Sequence, residues 1–364
     1  MPDWTKSMEQ SYEYYIVEPT TLADMKRIDT VTSASFSRDA ETETLGSATI
    51  DVTESTGESY VRGYLKTIQN GVTEKHALGT VLVQTPSSTF NGKITNITMD
   101  AYTPLIELKE KRPPLGYTVR KGTRIMDAAY RIIRENARVP VTKIDPTFVN
   151  KNGVLTDESP ILQQDFVANT NDTWLSFVID LIKNARYELS LDAMGRIMFA
   201  PIRELDSLQP VWTFDDGNSS ILLPELTMSH DLFGIPNVIE VVYSYGHDCK
   251  TAIAENRDPN SPVSIPSRGR VIPYRDPQPA LAGYVTQEQI QDYAERLLRS
   301  MSTIEYSVSY THAYCPVRIG DCVRLNYAKA GINNIKAKVI SQNIKCDLGC
   351  QVSEKAVFTA SLWR

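Results

Sequence analysis

The stretch DTWLSFVIDLIKNARYELSLDAMGRIMFAP, Asp172–Pro201, reads as a helix, a strand, a tight turn and a second strand. Trp174, Phe177, Val178, Leu181 and Ile182 recur at i, i+3, i+4, i+7 and i+8, the apolar stripe of an amphipathic helix. Asp172 or Thr173 can cap its first amides. Tyr187–Leu191 alternates as a half-buried strand does, and Asp192-Ala193-Met194-Gly195 supplies a turn in which Gly195 is free to take positive φ. Ile197-Met198-Phe199 returns, and Pro201 stops the second strand.

Strand-rich sequence lies on both sides of this unit. Upstream, Ser47–Val52, Tyr60–Leu65, Gly79–Val83 and Ile94–Met99 are short and rich in β-branched or aromatic residues, with hairpin signals at Asn70-Gly71 and Asn91-Gly92. The tyrosines Tyr12, Tyr14 and Tyr15 mark an arm or a first strand. Lys111–Gly116 breaks the pattern, and a second amphipathic helix follows from Thr123, carrying Ile125, Ala128, Ala129, Ile132 and Ile133 and ending at Pro140. Downstream, Val238–Tyr245 is a strand. The proline-rich stretch 246–282 reads as a long surface loop, and Thr286–Gln289 opens a third helix through a capping box. Glu305–His312, Ile319–Leu325, Lys336–Lys345 and Ala356–Trp363 complete a second β block.

The expected fold is therefore α+β and mostly β. It has an N-terminal β domain at 1–115, a small α/β domain at 116–223, and a second β domain at 224–364 that holds an inserted loop and helix at about 246–302. The 364 residues exceed one ordinary core. A net charge of -6 without a basic run argues against stable nucleic-acid binding. No apolar run approaches the roughly 20 residues of a membrane helix, and no secretory signal opens the chain, so synthesis in a cytoplasm is expected.

The chain lacks a P-loop and the G-x-G-x-x-G, H-E-x-x-H and G-x-S-x-G patterns. Its histidines, His76, His230, His247 and His312, are isolated. Five cysteines do not form a disulfide framework. Cys315, Cys322, Cys346 and Cys350, with His312, are the candidate zinc ligands, but neither C-x6-C nor C-x3-C has knuckle spacing, and buried thiols are the expected reading. Asp215–Asn218 lacks the spaced ligands of a calcium loop. Glu107, Glu110, Glu135, Asp180 and Glu188 do not single out an acid/base pair. No catalytic residue and no cofactor are expected.

The order of these segments resembles the baseplate or tail-tip hub proteins of tailed bacteriophages and contractile injection systems. It is carried by Glu41–Val52, Leu78–Pro86, Phe90–Leu108, Pro113–Thr123, the Asp192/Gly195 hairpin, Ile319–Tyr327 and Lys338–Cys346. The resemblance implies two antiparallel β-barrels of the tail-tube type flanking the α/β domain. It also implies a structural, non-enzymatic homotrimer whose pseudo-sixfold ring joins the sixfold tail tube to a threefold spike. DNA would pass through that ring during ejection without sequence-specific binding. The implied partners are a tube or distal tail protein, a spike or tip protein and a tape measure protein. The implied location is the virion tail, assembled in the bacterial cytoplasm. The alternatives are a tail-associated cell-wall or polysaccharide hydrolase and a carbohydrate- or receptor-binding module. The interface candidates are the strands Ser47–Val52, Gly79–Val83, Ile94–Met99, Ile319–Leu325 and Ala356–Trp363. Gly195 and Gly320 are expected to be demanded by backbone geometry.

Overall fold

The computed structural model describes all residues except 1, 91, 94, 145–147, 150–154, 157–159, 231, 246–247, 277–278, 280–284 and 362–364. Asn91, Ile94, His247 and Trp363 thus lie outside the described residues. The chain is α+β and mostly β, as the strand signals require. It forms two compact units, 1–226 with 310–355, and 227–309 with 356–364.

The first unit opens with β1 (Glu9–Val17), β2 (Asp24–Arg27), β3 (Val31–Asp39), β4 (Gly46–Val52), β5 (Tyr60–Gln69), β6 (Val72–Phe90) and β7 (Thr95–Tyr102). They pair antiparallel in the order β3-β4-β7-β6-β5-β1-β2. The tyrosine cluster is thus a strand, β1, and not an arm. Asn70 and Gly71, at φ 51° and 79°, close β5 onto β6 in the two-residue turn that matches strand twist.

The helical layer follows: α1 (Ile106–Glu110), α2 (Ile125–Asn136) and α3 (Trp174–Lys183). The two-residue strands β8 (Thr118–Val119), β9 (Phe148–Val149), β10 (Leu155–Thr156) and β11 (Phe166–Val167) lie among them, and the hairpin β12 (Tyr187–Leu191) with β13 (Ile197–Pro201) comes after. Thr173 caps α3, in a reciprocal box with Ser176. The two expected stripes meet. Ile125, Ala129 and Ile133 of α2 and Trp174, Phe177, Val178 and Leu181 of α3 share one core with Val17, Tyr60 and Leu82 of the sheet. Each large apolar side chain so buried contributes about 1.5–3 kcal/mol. Trp174 is core, edge-on to Tyr117 at 4.8 Å between ring centres.

The remaining strands are β14 (Trp212–Asp215), β15 (Leu222–His230), β16 (Val238–Tyr245), β17 (Asp248–Glu255), β18 (Pro273–Asp276), β19 (Thr303–Ala313), β20 (Cys322–Tyr327), β21 (Ile332–Lys345) and β22 (Gln351–Ser361), with helices α4 (Ile265–Arg268) and α5 (Gln287–Met301). β20 lies between β14, to which it is parallel, and β21. The end of β21 pairs with β3, from Ser341 opposite Asp39 to Lys345 opposite Ser35, and so fastens the last part of the chain to the first sheet.

In the second unit β16 is the middle strand between β17 and β18. Ile290, Ala294 and Leu298 of α5 pack on Ile239, Val241, Ala252 and Ala254, and Thr286 caps α5 with Gln289 as expected. Part of the stretch read as a long loop is therefore regular: β17, α4 and β18 all fall inside 246–282. The strand was masked because β17 buries its alanines, Ala252 and Ala254, while Ile253 faces outward, an inverted alternation that carries little hydrophobic signal.

Gly195 and Gly320 adopt φ of 89° and 87°. At Gly195 a Cβ would stand 2.7 Å from Thr80 Cβ. Gly195→Val is expected to destabilise the protein by about 2 kcal/mol or more through strain and this clash; an unchanged melting temperature in a thermal scan would contradict the placement.

Candidate functional site

The hairpin β12–β13 is held to the first sheet by a buried charge. Arg62 lies in β5 with Tyr60 and Tyr64 on one face, and its side chain is 0% exposed. Its Nε donates to Thr80 Oγ1 at 2.8 Å, and one terminal nitrogen donates to Asp24 Oδ1 at 2.7 Å and to Leu22 O at 3.0 Å. The other donates to Met194 O at 2.8 Å, and Thr80 Oγ1 donates to the same carbonyl at 2.8 Å. Tyr64 OH donates to Asp24 Oδ2 at 2.8 Å. Asp192 organises the turn from inside, since Oδ1 accepts from the N–H of Met194 and of Arg196 at 2.8 and 2.9 Å.

Beside this junction lies a cavity of about 210 Å³, with Arg38, Thr80, Asp192, Gly195, Arg318 and Asp321 on its wall. Arg38 donates to Gln342 Oε1 at 3.0 Å and to Leu78 O at 2.6 Å. Burial, and then the neighbouring Arg318, lower its pKa to about 10. Burial pushes the Asp321 carboxyl up. The lining holds no histidine or cysteine, so it offers no thiol or imidazole nucleophile.

Glu354, His312 and Cys315 form a second polar cluster. Gln342 Nε2 donates to Glu354 Oε2 at 2.6 Å, Tyr310 OH donates to the same carboxylate, and His312 Nε2 lies 3.3 Å from it. The Cys315 sulfur stands 3.8 Å from His312 Nδ1. The order Cys-His-Glu has the outline of a nucleophilic triad, but all three are buried and burial pushes the Cys315 thiol up. A substrate has no access and the thiolate is suppressed, so the cluster acts as a satisfied polar core.

The other cysteines are apart from this group. Cys322 donates to Val323 O at 3.8 Å. Cys346 and Cys350 flank the turn between β21 and β22, and burial pushes their thiols up to about 12 and about 11. Cys249 is exposed. Among the described residues no group of three or more His, Cys, Asp or Glu side chains is placed to hold a metal ion. His76 packs edge-on against Trp4 at 4.9 Å, and His230 lies 5.0 Å from Tyr306.

The carboxylates do not pair either. Glu107, 6% exposed, accepts from Tyr60 OH at 2.7 Å and from Arg138 at its Nε and N–H at 2.6 and 2.7 Å, tying α1 to the end of α2. Glu110 accepts from Gln84, Asp180 pairs with Lys183, Glu188 lies 3.6 Å from Lys338, and Glu135 is exposed. Two charges organise the first unit: Arg62, which sequence reasoning passed over, and Glu107, which it considered only as an acid/base candidate. Arg62 had left a signal: it sits on the same face as two tyrosines in YVRGYL.

The interface strands are placed as follows. β4 lies between β3 and β7, so its backbone edges are filled within the chain; Gly79–Leu82 pairs with β5, and only from Leu82 onward does β6 also pair with β7. Ile319–Leu325 is the Gly320-Asp321 turn and most of β20, also flanked on both sides. Ile97–Met99 of β7 pairs with both β4 and β6. Ala356–Ser361 is the end of β22. No described helix is long and apolar enough to cross a membrane.

No protein-family model matches the sequence, and no curated protein does. Solved structures do match. The tail protein from Neisseria meningitidis MC58 superposes with TM-score 0.61 at 11% identity, covering 96% of each chain. The tail protein of prophage MuSo2 from Shewanella oneidensis gives TM-score 0.60 at 12% identity, covering 96% of this chain and 98% of that one. The chain shares the fold of these two tail proteins over nearly its whole length.

Two outcomes follow from this chemistry. Arg62→Met removes the donor to Asp24 Oδ1, to Leu22 O and to Thr80 Oγ1 and one of the two donors to Met194 O, so it should cost about 1–3 kcal/mol, read as a lower denaturation midpoint; a midpoint within error of the unsubstituted chain would refute the clamp. An aromatic disulfide reagent at pH 8 should modify Cys249 first. Cys350, buried, and Cys346, half-buried, should lag, with rates climbing about tenfold per pH unit toward their raised pKa values; labelling of Cys350 as fast as of Cys249, read by peptide mass, would contradict its burial.

Proposed function

We propose that the protein is a structural hub of a phage tail, a homotrimer whose ring joins the tail tube to a tip or spike and leaves a passage for DNA. The carrying observation is the whole-chain match in fold to two tail proteins, with 96% of this chain covered in each. On this reading the repeated units of the ring are 1–115 and 224–364 of each copy, with 116–223 between them in sequence. Two such units in each of three copies present six similar surfaces to a sixfold tube and three to a threefold tip. A head-to-tail contact that closes on itself gives such a ring. The net charge of -6 suits a conduit that phosphates slide past, since retention of DNA needs cationic partners.

The reading assigns no catalysis to this chain, and it places the chain in the virion tail. The thiols of Cys315, Cys322, Cys346 and Cys350 are assigned to packing, so protein purified without added zinc should carry less than about 0.2 zinc per chain. The test of the hub is native mass of the purified protein. Three chains of 40.8 kDa each are expected in the assembled species. A single chain at every concentration, or a clearing zone on a cell-wall zymogram, would reject the hub in favour of a monomeric module or a hydrolase.

A further inference from the structure

The charge of the chain is unevenly placed. Residues 109–143 hold ten lysines and arginines against three aspartates and glutamates, a net +7 inside a chain of net -6. α2 puts part of this excess on one face. Its buried side is Ile125, Met126, Ala128, Ala129, Ile132 and Ile133. Arg124, Arg131 and Arg134 fall on the opposite side, at i, i+7 and i+10, and all three are exposed. Asp127 lies among them with Lys143 at 3.6 Å, and Glu135 lies at the margin of the face. Arg134 is set against the ring of Tyr130, 5.8 Å from its centre.

More cations stand at both ends of the helix. Lys111 donates to Asn136 O in the last turn, Arg112 follows it in sequence, and Lys121 precedes Arg124 by three residues; all are exposed. Among the described residues Lys111, Arg112, Lys121, Arg124, Arg131 and Arg134 form no ion pair, whereas Lys109, Arg120 and Arg138 are paired with Glu43, Asp165 and Glu107.

An ordinary solvated face intersperses both signs. A face with one sign in excess repels itself, and an anion laid on it relieves that repulsion. The residue types narrow the anion. A guanidinium presents a planar fork that matches phosphate oxygens. Ten residues separate Arg124 from Arg134, about 15 Å along the helix axis. One strand of a duplex presents a charge about every 3.4 Å, so this row faces several phosphates at once. The face offers no large apolar side chain to insert into a lipid surface or to anchor a protein partner.

We propose that the exposed face of α2 holds the phosphate backbone of duplex DNA through Arg124, Arg131 and Arg134, with Lys111, Arg112 and Lys121 adding charge at its ends. The proposal rests on the conduit reading above, which brings DNA to the protein. Phosphate contacts carry no sequence information, and a single cationic face on an acidic chain lets the duplex move on.

The test is fluorescence anisotropy of a labelled 20-base-pair duplex titrated with the full chain. With about four phosphates neutralised, affinity should fall about a hundredfold between 50 and 200 mM salt. Arg131→Glu with Arg134→Glu should weaken binding at least tenfold at 50 mM salt. Lys329→Glu with Lys345→Glu, exposed and outside this face, changes net charge equally and should stay within about twofold. Absence of binding by the unaltered chain at 50 mM salt, an affinity indifferent to salt, or equal loss in the two double variants overturns the proposal. The first two readings need no variant to fold. Binding to phosphatidylglycerol vesicles but not to the duplex overturns it in favour of a membrane surface. Native mass of the same samples keeps the readings apart: three chains without DNA binding reject the face alone, and a single chain at every concentration rejects the hub.

Discussion

The first unit depends on one buried cation. Arg62 is enclosed among Tyr64, Thr80, Asp24 and the backbone of Leu22 and Met194, and its guanidinium joins β5, β6, the approach to β2 and the β12–β13 turn. A buried charge is tolerated only when each donor finds an acceptor in a fixed place. That demand constrains the neighbours. Met194 O must point at the sheet, so Asp192 holds the turn and Gly195 passes Thr80 without a side chain. Glu107 does the same for the helices, fixing α1 against Arg138 and Tyr60. Apolar burial supplies the stability of this core; the two charges tie sheet, helices and hairpin together through hydrogen bonds.

This division explains what the sequence made legible. Patterns that repeat locally were readable: the stripes of α2 and α3, the capping of α3 and α5, the Asn70-Gly71 turn and the glycine of the hairpin. Each depends on residues within one or two turns of one another. The pairing of β21 with β3 was not readable as a register, because it links residues about three hundred positions apart through backbone groups that every residue has. β17 was lost because its buried face is alanine and its exposed face holds Ile253. Which strands are central was not readable either, because that is settled by distant partners: β4 and β20 are flanked on both sides.

The cysteine nearest to an activated geometry, Cys315, stands beside His312 and Glu354 but inside the core, where burial suppresses its thiolate. The cavity beside the hairpin has arginine and aspartate on its wall but neither histidine nor cysteine. What the surface does offer is strand edge: β2 and the exposed end of β6. Open edges are costly to a monomer and useful to an assembly.

The most direct measurement is a single-particle electron microscopy reconstruction of the purified protein without imposed symmetry. The account predicts a threefold ring with sixfold character on one face and a central opening of roughly 20 Å or more, enough for a B-form duplex. Discrete compact monomers, or a closed assembly without an opening, would contradict it.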